Sequence, residues 1–254
     1  MSIILSRVTK KQHRLTAISF YFIINTERRN LMKRTPLSQR QLPNYNVFED
    51  KANMITHIVG GGIGIVITLF SIIVASIHHN VWGIVSGSIY GFTLIALFTM
   101  SSIYHGLRVG TAKKVFQVID HCTIYFLIAG TYTPILLSGI RLKHPVAAWW
   151  IFGIEWGFAL LGATLNAIDL KSYNIFSMIC YIGMGWCVIV ILKPTIEALT
   201  FNGFLWLLAG GISYTIGAVL FSIGAKVRYF HSVFHIFVNL GSILQAISII
   251  FYVL

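Results

Sequence analysis

Seven apolar runs, each close to the roughly 20 residues a spanning helix needs, follow one another with only short charged or Gly/Pro-bearing links between them. They cover Met54–Ile77, Trp82–His105, Val115–Gly139, Val146–Leu165, Asn174–Lys193, Phe204–Ile223 and His231–Val253. Links such as "GLRVGTAKK" and "IRLKHP" leave no room for a soluble domain and force neighbouring helices antiparallel. The expected fold is an all-α integral membrane protein: a seven-transmembrane helix bundle over residues 46–254, behind a basic N-terminal tail over 1–45. Only 10% of the residues are charged, against about 25% in soluble domains, which sets aside the soluble enzyme classes.

The net charge of +12 does not point to nucleic acid, because ten of the nineteen Lys and Arg lie before residue 52. Such a distribution is a topology signal and an attraction to anionic headgroups. The tail and the second, fourth and sixth links hold about sixteen Lys/Arg, the other side about three. The N-terminus is therefore expected in the cytoplasm and the C-terminus outside, in a multi-pass protein of the cell membrane whose partners are membrane lipids. Within the tail, "LTAISFYFIIN" follows Lys10, Lys11 and Arg14. It lacks a small-residue cleavage site and reads as a surface-lying segment or an over-extended start. Cys122, Cys180 and Cys187 all fall in apolar runs and read as packing residues rather than a disulfide framework. The glycines of "GGGIG", Gly183/Gly185 and Gly210/Gly211 read as places where helix backbones approach closely.

Ionisable groups inside such runs are the informative residues, because each is costly in lipid. Glu49, Asn53 and His57 lie four apart, as do Ser101 and His105 and, in "YFHSVFHIF", His231 and His235. Asp120 and His121 lie early in the third run. Starts of odd-numbered and ends of even-numbered antiparallel helices share one side of the membrane, so this whole set falls in one leaflet. The charge bias makes it the cytoplasmic one. His78, His79 and His144 fall on the other side and read as interfacial.

Helical residues four apart have β-carbons about 5–6 Å apart, so the two rings of His231 and His235 can meet on one ion. Zinc takes imidazole nitrogens at about 2.0–2.1 Å, and three protein ligands with an open fourth position mark catalytic sites. His105 has the depth to be the third ligand. Asp120 would then hydrogen-bond a water on the metal, and Ser101 would steady a ligand or an oxyanion.

With "FEDKANMITHIVGG", "SSIYHGL", "VIDHCTIYFLIAGTYTPI" and "FHSVFHIFVNLG", the chain from about Asn46 onward resembles the bacterial hemolysin III proteins. These are the prokaryotic branch of the progestin and adipoQ receptor superfamily. The resemblance implies zinc held by His105, His231 and His235, with Asp120 touching it through water and Ser101 as the accompanying serine. Asn53 and His57 match the first-span motif of that branch and, with His121, stand as accessory candidates. Three functions follow as expectations. One is a membrane-embedded zinc hydrolase with Asp120 as general base, for which the superfamily implies a lipid amide. The others are a cytolysin, as the family name implies, and a zinc-stabilised receptor or sensor without turnover.

Overall fold

The computed structural model describes residues 34–224 and 227–254. The apolar stretch of the tail lies outside them. The chain divides into two units, Met1–Gln39 and Arg40–Leu254. Of the first, the described part holds a single 3-10 turn, Leu37–Gln39.

The second unit is helical throughout. Among the described residues its α-helices are α1 (Val47–Ile77), α2 (Val81–Gly106), α3 (Thr111–Pro134), α4 (Pro145–Ile168), α5 (Asn174–Gly185), α6 (Leu192–Gly224) and α7 (Phe230–Tyr252). Six stretches are long and apolar enough to cross a membrane: α1, α2, Thr111–Leu142, α4, α6 and α7. This is a multi-pass membrane protein.

Local sequence accounts for the helix ends. Asn46 caps α1 by accepting from Phe48 and Glu49 N–H at 2.8 and 3.0 Å. The Glu49 carboxylate reaches back to Asn46 N–H at 2.9 Å, completing a capping box. Pro145 opens α4 at a position where its missing N–H costs nothing. Pro134 ends the regular part of α3, and the chain continues as a π-helical segment, Ile135–Gly139.

Each lipid-facing helix turns one narrow face inward. Along α1 the buried residues are Glu49, Asn53, His57, Gly60, Gly64, Ile67, Ser71 and Ala75, a stripe at spacings of three and four. Consecutive helices α1 to α4 pack against one another, α6 packs along α7, and α7 packs back on α1. The ring closes least firmly between α5 and α6.

Two runs differ from their expected form. Asn174–Lys193 is not one continuous helix: α5 stops at Gly185, and a 3-10 turn follows at Cys187–Ile189. The Tyr132 hydroxyl accepts Val188 N–H at 2.9 Å and donates to Gly185 O at 3.0 Å, satisfying backbone groups that the break frees. The run Phe204–Ile223 lies within α6, which is itself interrupted at Thr200, at φ 60° and ψ 169°. The glycines divide as well. A β-carbon on Gly60 would come within 2.3 Å of Asn239 Oδ1 and 2.6 Å of Phe98, so the close approach of α1, α2 and α7 requires glycine there. Gly62, Gly183, Gly185 and Gly211 have nothing within 4 Å of that position.

Candidate metal centre

The N-terminus of α1 fixes the start of α7. Glu49 is buried, and while its Oε2 serves the capping box its Oε1 accepts the backbone N–H of Tyr229 at 2.8 Å. Tyr229 is the N-cap of α7 and stands at φ 65°, with no side-chain cap of its own. Unsatisfied N–H groups at a helix start need such an acceptor. The helix therefore begins from a fixed point two residues before His231.

Three imidazoles meet here. His231 Nε2 lies 3.1 Å from His235 Nε2 and 3.4 Å from His105 Nε2. One ligand atom from each ring lies within 4.8 Å of the others, and all three residues are buried. Bonds of 2.0–2.1 Å in a tetrahedron put neighbouring nitrogens about 3.3–3.4 Å apart, so the spacing suits one small cation.

The opposite ring nitrogens decide the protonation. His105 Nδ1 faces Asp50 Oδ1 at 3.0 Å, and His235 Nδ1 faces the Asn53 carbonyl at 3.2 Å. Both partners are pure acceptors, so each neutral ring carries its proton on Nδ1 and turns a lone pair inward at Nε2. A neutral His231 can offer at most one Nε2–H and so can serve one neighbour only. A cation could take one nitrogen from each ring, and His105 and His235 have their second nitrogens tied down as metal-binding imidazoles do.

Asp120 and Ser101 line a cavity beside this cluster, together with His57, His121, His231 and His235. The Ser101 hydroxyl interacts with the Asp120 carboxyl. Beyond these groups the walls turn apolar, with Leu127, Ile128, Phe234 and Val238 among them. The empty space is about 1140 Å³ with its mouth included. It extends along α5 and α6, where Trp186 Nε1 donates to Thr215 Oγ1 at 3.0 Å across the loosely packed boundary.

The accessory candidates take different places. Asn53 gives its carbonyl to His235 and its Oδ1 to the Ser232 hydroxyl at 2.6 Å. His57 stacks on His235, ring centroids 3.7 Å apart and planes at 20°, and neither of its nitrogens has a partner among the described residues. His121 turns Nδ1 to the Gln117 carbonyl of its own helix at 2.8 Å.

Residues not singled out from the sequence also belong here. Asp50 holds His105, and Lys113 holds Asp50 through Nζ to Oδ2 at 2.6 Å. Tyr45 covers the cluster, its ring 4.9 Å from that of His231 at 27°. Burial, then the carboxylates of Asp120, Asp50 and Glu49, push the Tyr45 phenol above the usual tyrosine range, so it stays neutral. Asp50 carried a signal, since it lies three residues before Asn53 and seven before His57 on the same side of α1.

The fold and this cluster define a multi-pass helical membrane protein with a buried three-histidine cluster beside an open-mouthed cavity. The chain belongs to the family described as "Haemolysin-III related", which matches residues 45–246. It is 39% identical over 208 residues to "Hemolysin-3" of Bacillus cereus, covering 82% of this chain and 93% of that protein. Identity to a "Hemolysin-3 homolog" of Bacillus subtilis (strain 168) is 34% over 208 residues, covering 82% and 96%. The Homo sapiens "Monocyte to macrophage differentiation factor" is 27% identical over 228 residues, 84% of this chain and 87% of that one.

Proposed function

We propose that this protein is a membrane-embedded zinc-dependent hydrolase acting on a lipid amide or ester. The observation that carries the reading is the inward-facing set of His105, His231 and His235 nitrogens, beside a mostly apolar cavity that Asp120 and Ser101 also line. His105, His231 and His235 would hold zinc, which would lower the pKa of a water to about 7 and polarise a carbonyl. Asp120 then serves as general base and acid in turn. One of its carboxylate oxygens takes the proton of the attacking water and passes it to the departing nitrogen or oxygen as the acyl bond breaks. Ser101 steadies the Asp120 carboxyl or donates to the developing oxyanion. The apolar walls suit a chain that slides in from the bilayer.

The same reading takes seven crossings, counting α5 with its 3-10 turn as a short fifth. The bias of basic residues supports an N-terminus in the cytoplasm and a metal centre near that face.

A cytolysin is favoured by one observation, the name of the Bacillus cereus relative. A pore needs a water-compatible lining across the membrane, whereas the cavity walls away from the cluster are mostly apolar. Hydrolysis of lipids lyses membranes without one.

The test uses purified protein, Asp120→Ala and His235→Ala, with bound zinc measured and each incubated with a ceramide panel and with dye-loaded liposomes. Zinc-dependent fatty acid release that disappears in Asp120→Ala is the expected result. Dye leakage surviving both substitutions identifies a pore instead, and bound zinc with neither activity identifies a sensor.

A further inference from the structure

We propose that Asp50 is the positioning carboxylate of this metal centre: it holds His105 with Nε2 toward the ion, is itself held by Lys113, and so sets the affinity for the metal. The proposal rests on the reading of His105, His231 and His235 as metal ligands.

The three rings are not held alike. His235 Nδ1 has a backbone carbonyl and, at 3.3 Å, the Thr56 hydroxyl. His231 lies under Tyr45. His105 is met by a full charge, Asp50 Oδ1 at 3.0 Å, with the imidazole side chain fully enclosed and the carboxylate 22% exposed. A carboxylate behind a ligating imidazole fixes its tautomer and ring angle and makes the ligating nitrogen more basic.

Asn53 does not take over this role. Its Nδ2 is 3.5 Å from His105 Nδ1 and cannot donate to a nitrogen that already carries a proton. Its Oδ1 is engaged by Ser232.

The carboxylate is fixed in turn. Lys113, with its side chain 4% exposed, reaches Oδ2 at 2.6 Å and also donates to Leu107 O at 3.2 Å, at the C-cap of α2. A single carboxylate thus ties the starts of α1 and α3 to the end of α2, where His105 sits. An ion pair that only held helices together would need no third partner at His105 Nδ1.

The test uses full-length protein in detergent as the parent, Asp50→Asn, Lys113→Met and the double variant Asp50→Asn/Lys113→Met. Asp50→Asn alone leaves a buried ammonium without its counter-charge, so the double variant is the cleaner probe. Three quantities are read: zinc affinity by chelator competition, the thermal midpoint of the metal-free protein, and the visible spectrum with cobalt in place of zinc. The parent is expected to bind one zinc. The double variant is expected to keep the metal-free midpoint of the parent, bind zinc about 10–100-fold more weakly and shift the cobalt bands. Asp50→Asn should lose affinity in the same range, and Lys113→Met less, because Oδ1 stays on His105.

Unchanged affinity and spectrum in both Asp50 variants, in a parent that does bind zinc, overturns the role of Asp50 alone. A parent that takes up no zinc overturns the metal-site reading with it and leaves Asp50 as the hydrogen-bond partner of a core histidine.

Discussion

Histidines gather at both ends of this bundle, and the two groups behave differently. At the end where α1 begins, His105, His231 and His235 are buried, with Nε2 atoms 3.1–3.4 Å from His231 outward. At the other end of α1, His78 caps the helix and contacts Leu254 O through Nδ1 at 2.9 Å. His144, the N-cap of α4, contacts Glu197 Oε2 through Nε2 at 2.8 Å, with both side chains 35% exposed. Each of these two outer rings has one partner. Two of the inner rings, His105 and His235, have their far nitrogens satisfied by Asp50 and Asn53, and all three turn their near nitrogens on one another. Three buried nitrogens so close together could hold one cation; half-exposed rings with a partner each have no such arrangement.

The harshest way to break this contrast is to remove one inner ring. His105→Ala is expected to lower bound zinc from about one per chain to near zero, read by elemental analysis of purified protein. The open fourth position of a three-ligand site leaves only two protein ligands after the loss. Retained stoichiometric zinc would mean that the inner rings are ordinary core histidines after all.

Asp120→Asn separates holding from chemistry at the same end. Zinc content is expected to stay, while lipid hydrolysis falls by about 10²–10⁴-fold, the usual contribution of a general base. Equal loss of zinc and turnover would instead make Asp120 part of the holding set.

Glu49 gives the next smaller effect. Glu49→Ala removes the acceptor of Tyr229 N–H and half of the α1 capping box. Hydrogen bonds to a charged group contribute about 1.5–3 kcal/mol each. A fall of about 3–6 kcal/mol in stability is therefore expected, read as a lower thermal midpoint in detergent. Glu49→Gln keeps an acceptor and should lose less.

The meeting of His105 with His231 and His235, and the place of Asp120 beside them, was legible because helical period and antiparallel order are local rules. Asp50 was not. Glu49 and Asp50 flank the line through Asn53 and His57 at nearly equal angles, one four residues and the other three before Asn53. Only the arrival of α2 and Lys113 decides which carboxyl meets a ring. The break after Gly185 was hidden for a similar reason: the group that stabilises it, Tyr132, lies 56 residues before Val188. An apolar run of 20 residues looks like one helix until a distant hydroxyl offers its backbone another partner. The interruption at Thr200 has the same character, as nothing in "TIEALTFNG" demands φ 60° there.

His144→Ala is the mildest change and sharpens the contrast from the other side. Exposed ion pairs contribute little, since water already solvates both partners and side-chain ordering offsets the attraction. His144 lies on the loop before α4 and Glu197 in the first part of α6, where Lys193 also approaches Glu197 at 4.0 Å, so the carboxylate keeps a cationic neighbour after the loss. Zinc content and lipid turnover are expected to match the parent, and the thermal midpoint to move least of the four variants. A drop in bound zinc would show that the two ends are coupled along α4 and α6, and the inner rings would then owe their geometry to more than the contacts around α1.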